Sequence, residues 1–265
     1  MLINSVVIVL REVLEAALMV SVLLAASRLL QITSRWLVVA LTLGLVGAAA
    51  YGQFLDPISE LFEGVGQELF NALLQYAAFA ALAIVAFLIA RQRSGLGGEK
   101  SILPGMMAMA VALAVIREGS EVLIYVTGFV QISNFLSSVG IGSLAGAAIG
   151  SSVGVLFYYL LLALPPRRAL LISLTLLGLA ASGMSAQATG LLIQADWISI
   201  AGPVWDSSRF IAEDSLTGQL LYALIGYEAS PSATEVITYL ASIAVMAVSV
   251  VLGWTIFSNR SNEPR

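Results

Sequence analysis

The stretch Arg11-Glu12-Val13-Leu14-Glu15 decides the fold, together with its second copy, Arg117-Glu118-Gly119-Ser120-Glu121. Both copies read Arg-Glu-x-x-Glu, and both lie inside apolar runs. About 20 apolar residues in a helix cross a hydrocarbon core of roughly 30 Å. A charged side chain at that depth is costly, so it normally faces a bundle interior or a water-filled path. Three charges repeated at one spacing therefore predict a polar site inside a helical membrane bundle.

Composition narrows the class of protein before any motif is considered. Of the 265 residues, 59% are hydrophobic and only 11% are charged, and the mean hydropathy is +0.96. A globular domain of this composition would be insoluble, so we interpret the chain as a polytopic membrane protein. The chain contains no cysteine and no histidine. Disulfides and thiolate chemistry are therefore excluded, and any metal site must be built from oxygen ligands.

The apolar runs predict an all-α fold with seven transmembrane helices. A short eighth helix, over residues 216–227, is expected to lie on or dip into the outer surface, because the sixth loop is long and this part of it is apolar. We expect one transmembrane domain over residues 1–265. The seven spans cover residues 5–29, 36–54, 69–90, 104–130, 140–164, 169–193 and 233–257.

The distribution of basic residues between the loops predicts the orientation. The second loop is acidic, the fourth is uncharged, and the sixth carries several acids and one arginine. By the positive-inside rule the N-terminus lies outside and the C-terminus is cytoplasmic. We expect a multi-pass protein of the plasma membrane, which is the inner membrane in a Gram-negative cell. The first, third and fifth loops and the tail carry the basic residues Arg28, Arg35, Arg91, Arg93, Lys100, Arg167, Arg168, Arg260 and Arg265.

The charged motif recurs after 106 residues, the distance from Arg11 to Arg117, and the same shift takes Gly44 to Gly150. We interpret the recurrence as an internal repeat of three helices. Since three is odd, the second unit is inverted, and a site at the interface of inverted repeats is a common transporter arrangement. The alternative is that two apolar thirds resemble each other by composition alone. The repeats cover residues 1–100 and 101–195, followed by an outer loop over 196–232 and the seventh helix over 233–257.

A ladder of glycines follows one face of the fifth span. Gly142, Gly146, Gly150 and Gly154 recur at four-residue spacing. The bare backbone on that face allows another helix to approach closely. We favour packing inside the protein, and a subunit interface is the alternative.

The spacing of each motif places its three charged side chains on one helix face. The two glutamates are three residues apart, and the arginine is four residues from the second glutamate. At 1.5 Å per residue, the two motifs lie within about one helical turn of the same depth. We therefore expect the carboxylates of Glu12, Glu15, Glu118 and Glu121 to converge near the membrane midplane. The guanidinium groups of Arg11 and Arg117 flank them.

The predicted cluster has four carboxylates and two guanidinium groups, a formal charge of −2. A buried cluster of that kind is unfavourable when fully ionised, so we expect it to hold protons that a multivalent cation displaces. Oxygen ligands suit a hard ion: ferric iron, or calcium, magnesium or manganese. The alternative is that each arginine merely neutralises a glutamate one turn away. Pairing within each motif would still leave a spare carboxylate.

Polar residues outside the motifs suggest a route to the cluster. The outer-loop acids could concentrate cations at the mouth, although charged loops are usually just solvated. Gln187, a large amide well inside its span, is the candidate path-lining residue, and the other intramembrane polar groups are expected to serve packing. The candidate mouth acids are Glu60, Glu63, Glu68, Glu213 and Asp214.

On these motifs the chain resembles the oxidase-dependent ferric iron permeases, which include the fungal high-affinity iron permease and the bacterial EfeU-type transporters. That family has seven spans with an Arg-Glu-Gly-Leu-Glu motif in the first and fourth. Val13 and Ser120 depart from the motif, while all six charged positions are kept. The segment Glu213-Asp214-Ser215-Leu216 is similar to the family's acidic Ser-Leu element, and Gly226-Tyr227-Glu228-Ala229-Ser230-Pro231 is similar to the EfeU type.

The resemblance implies ferric iron uptake, with the four motif glutamates as metal ligands and the two arginines holding them. It also implies Fe³⁺ as the transported ion without a permanently bound cofactor. An iron-oxidising or periplasmic iron-binding protein would be the partner, and no nucleic acid is expected.

Two other functions remain open beside an iron permease. A transporter of a divalent metal, such as lead, manganese or ferrous iron, is the nearest alternative. A membrane metal sensor or scaffold that binds without transport is the alternative from another class. A membrane enzyme is not expected, because the chain has no histidine and no nucleophile motif.

Overall fold

The computed structural model describes residues 2–92, 102–129, 133–199, 202–213 and 215–258. Within these ranges the chain is helical, and an isolated bridge between Pro203 and Ser232 is the β-type pairing present. Some sequence-based predictions fall on residues outside the described ranges. These are the mouth acid Asp214 and the basic loop residues Arg93, Lys100, Arg260 and Arg265.

The described ranges contain nine α-helices and one short 3₁₀ helix, Leu61–Gly64. Each predicted span coincides with a long helix, and the predicted short helix is α8. The largest difference is at α6, which begins seven residues earlier than expected, at Ser133 instead of 140. The helices are α1 Leu2–Leu29, α2 Arg35–Gln53, α3 Leu55–Ser59, α4 Gly66–Gln92, α5 Leu103–Gly128, α6 Ser133–Leu162, α7 Pro166–Gln194, α8 Leu216–Ile225 and α9 Ala233–Ser258.

Five of the described helices, α2, α4, α6, α7 and α9, are long and apolar enough to cross a membrane. The charged motifs lie in α1 and α5, of 28 and 26 residues, which are not among those five. At 1.5 Å per residue both are nevertheless longer than a hydrocarbon core of roughly 30 Å. The chain is thus an all-helical membrane protein with several spans.

Helix packing brings the two motif helices to the centre of the bundle. The most extensive contacts pair α1 with α6, α2 with α5, and α4 with α7. The helices α1 and α5 also touch each other, and α7 lies against α1. An apolar core that includes Leu23, Leu82, Ile89, Met107 and Val111 fills the space between them. The charged motifs therefore lie at one end of this apolar core.

The glycine ladder of α6 packs against α1, which confirms the prediction of internal packing. A Cβ at Gly146 would lie 2.5 Å from the carbonyl oxygen of Val6, and one at Gly142 would lie 2.7 Å from that of Leu2. The hydroxyl of Ser21 also donates a hydrogen bond to the carbonyl oxygen of Gly154 (2.6 Å). The two backbones are therefore in direct contact, as glycine-rich helix pairs in membranes require.

The short helix α8 is fixed at both ends and lies against α1 and α7. At its start the backbone N–H of Gly218 donates to the hydroxyl of Ser215 (3.0 Å), an N-cap bond. At its end Gly226 adopts a left-handed conformation (φ 67°). A Cβ on Gly183 of α7 would lie 2.6 Å from the Cα of Gly226. This backbone contact lets α8 reach down to the charged motif of α1.

Candidate metal centre

Three carboxylates from two helices meet inside the bundle. Oxygen atoms of Glu12 and Glu15 on α1 and of Glu118 on α5 all lie within 4.8 Å of one another. Glu12 is only 6% exposed and Glu118 only 3%. Buried carboxylates at this spacing can ligate one metal ion, since hard cations take several oxygen ligands at about 2.0–2.6 Å.

Arg117 is the cation that holds these carboxylates together. Its Nη1 lies 2.7 Å from Oε1 of Glu118 and 3.4 Å from Oε2 of Glu15, and its Nη2 lies 3.1 Å from Oε1 of Glu121. The Arg117 side chain is 9% exposed. A planar guanidinium group suits this role, because its donors reach several carboxylates at once.

The cluster keeps oxygen atoms free for a ligand. The carboxyl groups of Glu12 and Glu118 each contribute an oxygen atom to the group that lies within 4.8 Å, and two buried carboxylates this close are unfavourable when both are charged. Oε2 of Glu12 has no hydrogen-bond partner among the described residues although it is buried. A metal ion would find these oxygens already convergent.

Arg11 has a different environment from its counterpart in the second motif. Its Nε lies 3.5 Å from Oε1 of Glu15, an ion-pair distance, and its side chain is 41% exposed. The guanidinium carbon lies 4.3 Å from the centre of the Tyr222 ring, a cation–π contact. Tyr222 belongs to α8, so the short helix covers Arg11 and the edge of the cluster.

Glu121, the fourth predicted ligand, lies at the border of the cluster. Its side chain is 32% exposed, and its carboxylate is paired with Arg117. It interacts electrostatically with Glu12, Glu15 and Glu118, but it is not part of the group that lies within 4.8 Å. Of the four predicted carboxylates, three thus form one group, and Glu121 lies beside it.

A small cavity of about 30 Å³ adjoins the carboxylates. Glu15, Glu118, Tyr222 and Gln187 line its polar part, so the residue predicted to line a path does reach the site. The remaining wall is apolar, and it includes Leu18, Met19, Val22, Leu82, Leu177 and Met184. This volume is enough for a water molecule or one dehydrated ion.

The predicted mouth acids differ in their exposure and in their hydrogen-bond partners. Glu60 and Glu63 are exposed in the segment between α2 and α4. Glu68 lies in the first turn of α4, and its Oε2 is buried without a hydrogen-bond partner among the described residues. The carboxylate of Glu213 accepts a hydrogen bond from the backbone N–H of Ala229 (2.6 Å), so it also fixes the loop after α8.

Glu228, in the loop between α8 and α9, has an unusual titration. Its pKa is raised to about 7, chiefly by burial and in addition by the neighbouring carboxylates of Glu235 and Glu213. An acid of this kind changes charge near neutral pH.

Sequence reasoning missed Tyr222, which contacts Arg11 and lines the cavity. The sequence signal for Tyr222 is weak, because the apolar segment 216–227 predicts a short helix but does not indicate which helices it packs against. Gln75, one of the polar groups expected to serve packing, donates its amide N–H to Oε1 of Gln187 (3.0 Å), a bond between α4 and α7. Such contacts join residues more than 100 positions apart, which periodicity does not reveal.

Comparison with known proteins adds a family to this geometry. A model of the iron permease FTR1 family matches residues 2–264. No solved structure matches the chain significantly.

Several curated relatives carry the name "Ferrous iron permease EfeU". The protein of Escherichia coli O6:K15:H31 (strain 536 / UPEC) is 28% identical over 270 residues, which cover 92% of this chain and 94% of the relative. The protein of Yersinia pestis is 28% identical over 255 residues, covering 88% and 87%. The protein of Shigella sonnei (strain Ss046) is 28% identical over 254 residues, covering 86% and 88%. The similarity therefore extends over nearly the whole length of each protein.

Proposed function

Since the chain belongs to the iron permease FTR1 family, whose members are membrane transporters of iron and not enzymes, we propose that it imports iron through the carboxylates of Glu12, Glu15 and Glu118. The observation that carries the proposal is the convergence of these three buried carboxylates from α1 and α5 within 4.8 Å. The convergence involves both copies of the repeated motif.

The chemistry of the cluster supports reversible binding of a hard cation. Its ligands are oxygen atoms, which favour hard ions, and Arg117 keeps the carboxylates close together without an ion. Because the arginine offsets part of the negative charge, the ion is held less tightly than by carboxylates alone. Conduction needs binding that is strong enough to take up the ion and weak enough to release it.

Two oxidation states are candidates for the transported iron. The resemblance of the motifs to ferric iron permeases favours Fe³⁺. The names of the relatives, ferrous iron permeases, favour Fe²⁺. The charge of the site also favours Fe²⁺, because four motif carboxylates and two guanidinium groups leave a formal charge of −2, which one divalent ion neutralises.

The proposed topology has seven spans, an outer N-terminus and a cytoplasmic C-terminus in the plasma membrane. The reciprocal packing of α1 with α6 and of α2 with α5 supports an inverted pair of three-helix repeats, because one rotation exchanges the two contacts. The membrane potential could drive the ion inward, at about 2.3 kcal/mol per charge per 100 mV. Proton exchange at the carboxylates is the alternative driving force. An iron-oxidising or periplasmic iron-binding protein is the proposed partner.

The test is metal uptake into liposomes that contain the purified protein. Ferric citrate, Fe²⁺ kept reduced with ascorbate, Mn²⁺ and Pb²⁺ are compared for wild type and Glu118→Gln. The matched control is Asp56→Asn, which removes the same charge from an exposed residue outside the cluster and outside the candidate mouth acids. We expect iron uptake by wild type and the control, and the rate of protein-free liposomes for Glu118→Gln.

The outcomes separate the alternatives. Uptake of Mn²⁺ or Pb²⁺ with exclusion of both iron ions would replace iron with another divalent metal at the same site. Undiminished iron uptake by Glu118→Gln would refute the site. Metal binding in detergent without flux of any metal would favour a sensor or scaffold.

A further inference from the structure

Several buried oxygen atoms beside the cluster have no hydrogen-bond partner among the described residues. They are the hydroxyl of Tyr51, Oε2 of Glu68, Oδ1 of Asn71 and Oε1 of Gln75. Tyr51, Asn71 and Gln75 are 4%, 5% and 1% exposed. Leaving a buried oxygen unpaired costs about 1–3 kcal/mol. Four such atoms on two adjoining elements indicate a place that binds an electrophilic ligand.

Three of these residues form a row along α4. Glu68, Asn71 and Gln75 are separated by three and four residues, so they lie on one face of the helix. The row extends over roughly 10 Å at 1.5 Å per residue. At its deep end Gln75 donates a hydrogen bond to Gln187 (3.0 Å), which lines the cavity of the carboxylate cluster. The row therefore leads from the first turn of α4 to the metal centre.

Tyr51 lies within electrostatic reach of both this row and Glu121. Its phenol group interacts electrostatically with the carboxylates of Glu121 on α5 and Glu68 on α4. The ring stacks on Phe70 with 4.8 Å between the ring centres, which fixes its orientation. The three helices concerned are in mutual reach, since α5 packs against both α2 and α4.

Glu121 is suited to take part in two sites. Its carboxylate is bound to Arg117, the centre of the cluster, at 3.1 Å. Its side chain is also 32% exposed, while that of Glu15 is 10% exposed and that of Glu118 is 4% exposed. It is more accessible than either of them, and it lies within electrostatic reach of the buried hydroxyl of Tyr51.

We propose that Tyr51, Glu68 and Glu121, with Asn71 on the same face of α4, form an outer cation site that binds a hard multivalent ion before it reaches Glu12, Glu15 and Glu118. Two carboxylates from different helices supply negative charge, and a hydroxyl and an amide supply neutral oxygen, which is the ligand set of hard cations. Water could satisfy single oxygens, whereas two carboxylates within electrostatic reach of one buried hydroxyl also attract a cation. The passage to the inner carboxylates rests on the proposed function, whereas binding at the outer site does not.

The experiment isolates the outer site by disabling the cluster. Fe²⁺ kept reduced with ascorbate is added to detergent-purified Glu118→Gln protein, and bound iron is counted by equilibrium dialysis. We expect one ion per chain, with an affinity that falls about tenfold or more when Glu68→Gln or Tyr51→Phe is added. Both substitutions keep the size of the side chain. The matched controls are Asp56→Asn, an exposed acid, and Tyr159→Phe, at a residue that is 63% exposed; neither should change binding.

Each outcome has a distinct meaning. Absence of bound Fe²⁺ in Glu118→Gln would overturn the outer site, as would equal losses in the test and control variants. In liposomes, Glu68→Gln and Tyr51→Phe should raise the concentration for half-maximal uptake more than they lower the maximal rate. If wild type transports no metal while the dialysis result holds, the proposed function fails and the outer site stands. If wild type transports iron but Glu68→Gln and Tyr51→Phe behave like their controls, only the outer site fails.

Discussion

Arg117 and Arg11 occupy equivalent positions in the repeated motif but differ in exposure and in the carboxylates they contact. Arg117 is 9% exposed and touches three carboxylates, whereas Arg11 is 41% exposed and pairs with Glu15 beside Tyr222. The sequence predicts that both arginines flank the carboxylates, since spacing fixes the shared helix face. It does not predict this difference, because the environment of Arg11 depends on α8, which is about 200 residues away in the chain.

Arg117→Ala should therefore destabilise the protein far more than Arg11→Ala. Removing one partner of a buried ion pair costs about 3–5 kcal/mol, while a half-exposed ion pair contributes about 0–1 kcal/mol and the ring contact about 0.5–1 kcal/mol. Thermal unfolding in detergent measures both variants against wild type. Equal losses of stability would contradict the central role of Arg117.

Glu228 should make stability depend on pH near neutrality. Its pKa is raised from 4.5 to about 7 by burial and by Glu235 and Glu213, so the folded state holds this proton more tightly than the unfolded state does. The stability it contributes is complete below pH 4.5 and is lost as pH rises through 7. We expect Glu228→Gln to lose less melting temperature than wild type between about pH 5 and about pH 8, by a few degrees. A parallel pH profile in both proteins would contradict this assignment.

The helices themselves were largely predictable, because apolar runs of about 20 residues have few alternatives in a membrane. The short helix α8 was predicted from its apolar composition, while α3 and the 3₁₀ helix Leu61–Gly64 were not, since such short turns leave no periodicity. The sequence favoured internal packing for the glycine ladder but could not identify its partner. The structure shows that this partner is α1, whose backbone the ladder touches directly.

The glycine ladder allows a direct test of the packing between α1 and α6. Gly146→Ala should destabilise the protein by about 1–3 kcal/mol, because its methyl group would overlap the backbone of α1. Gly140, on the same helix, has no neighbour within 4 Å. Gly140→Ala should therefore be neutral, or stabilising by up to about 1 kcal/mol through helix propensity. Comparison of the two melting temperatures decides, and an unchanged Gly146→Ala would refute tight α1–α6 packing.

At the scale of the whole molecule, the charged residues of the two motifs lie next to an apolar core. Of the four predicted ligands, Glu12, Glu15 and Glu118 form the group within 4.8 Å, and Glu121 lies beside it, paired with Arg117. The sequence could not separate Glu121 from the others, because the separation depends on how α2 and α4 pack against α5. The apolar wall of the cavity likewise comes from α1, α4, α5, α7 and α8 together.

Binding of iron should release protons from the carboxylate cluster, and this release can be measured on the whole protein. Glu12 and Glu118 bring buried carboxyl oxygens within 4.8 Å of each other, so we expect the pair to hold a proton that a metal ion ligated by both replaces. We expect a fall in pH of at least about one proton per ion bound when Fe²⁺ is added to the purified protein in weak buffer. Glu118→Gln should abolish most of that signal. Metal binding by wild type without acidification would contradict a protonated empty cluster.

The ion pair between Glu15 and Arg117 joins residues 102 positions apart, and the helix that covers α1 most fully, α6, follows later still. During synthesis, the ribosome therefore delivers α1 to the translocation machinery with three charges, of which only Arg11 and Glu15 can pair within the helix. Leaving that helix alone in lipid would be unfavourable, so its stable insertion must wait for the second half of the chain. Truncation after α4 should therefore leave α1 outside the bilayer, so we expect membrane insertion of the first motif to depend on the second.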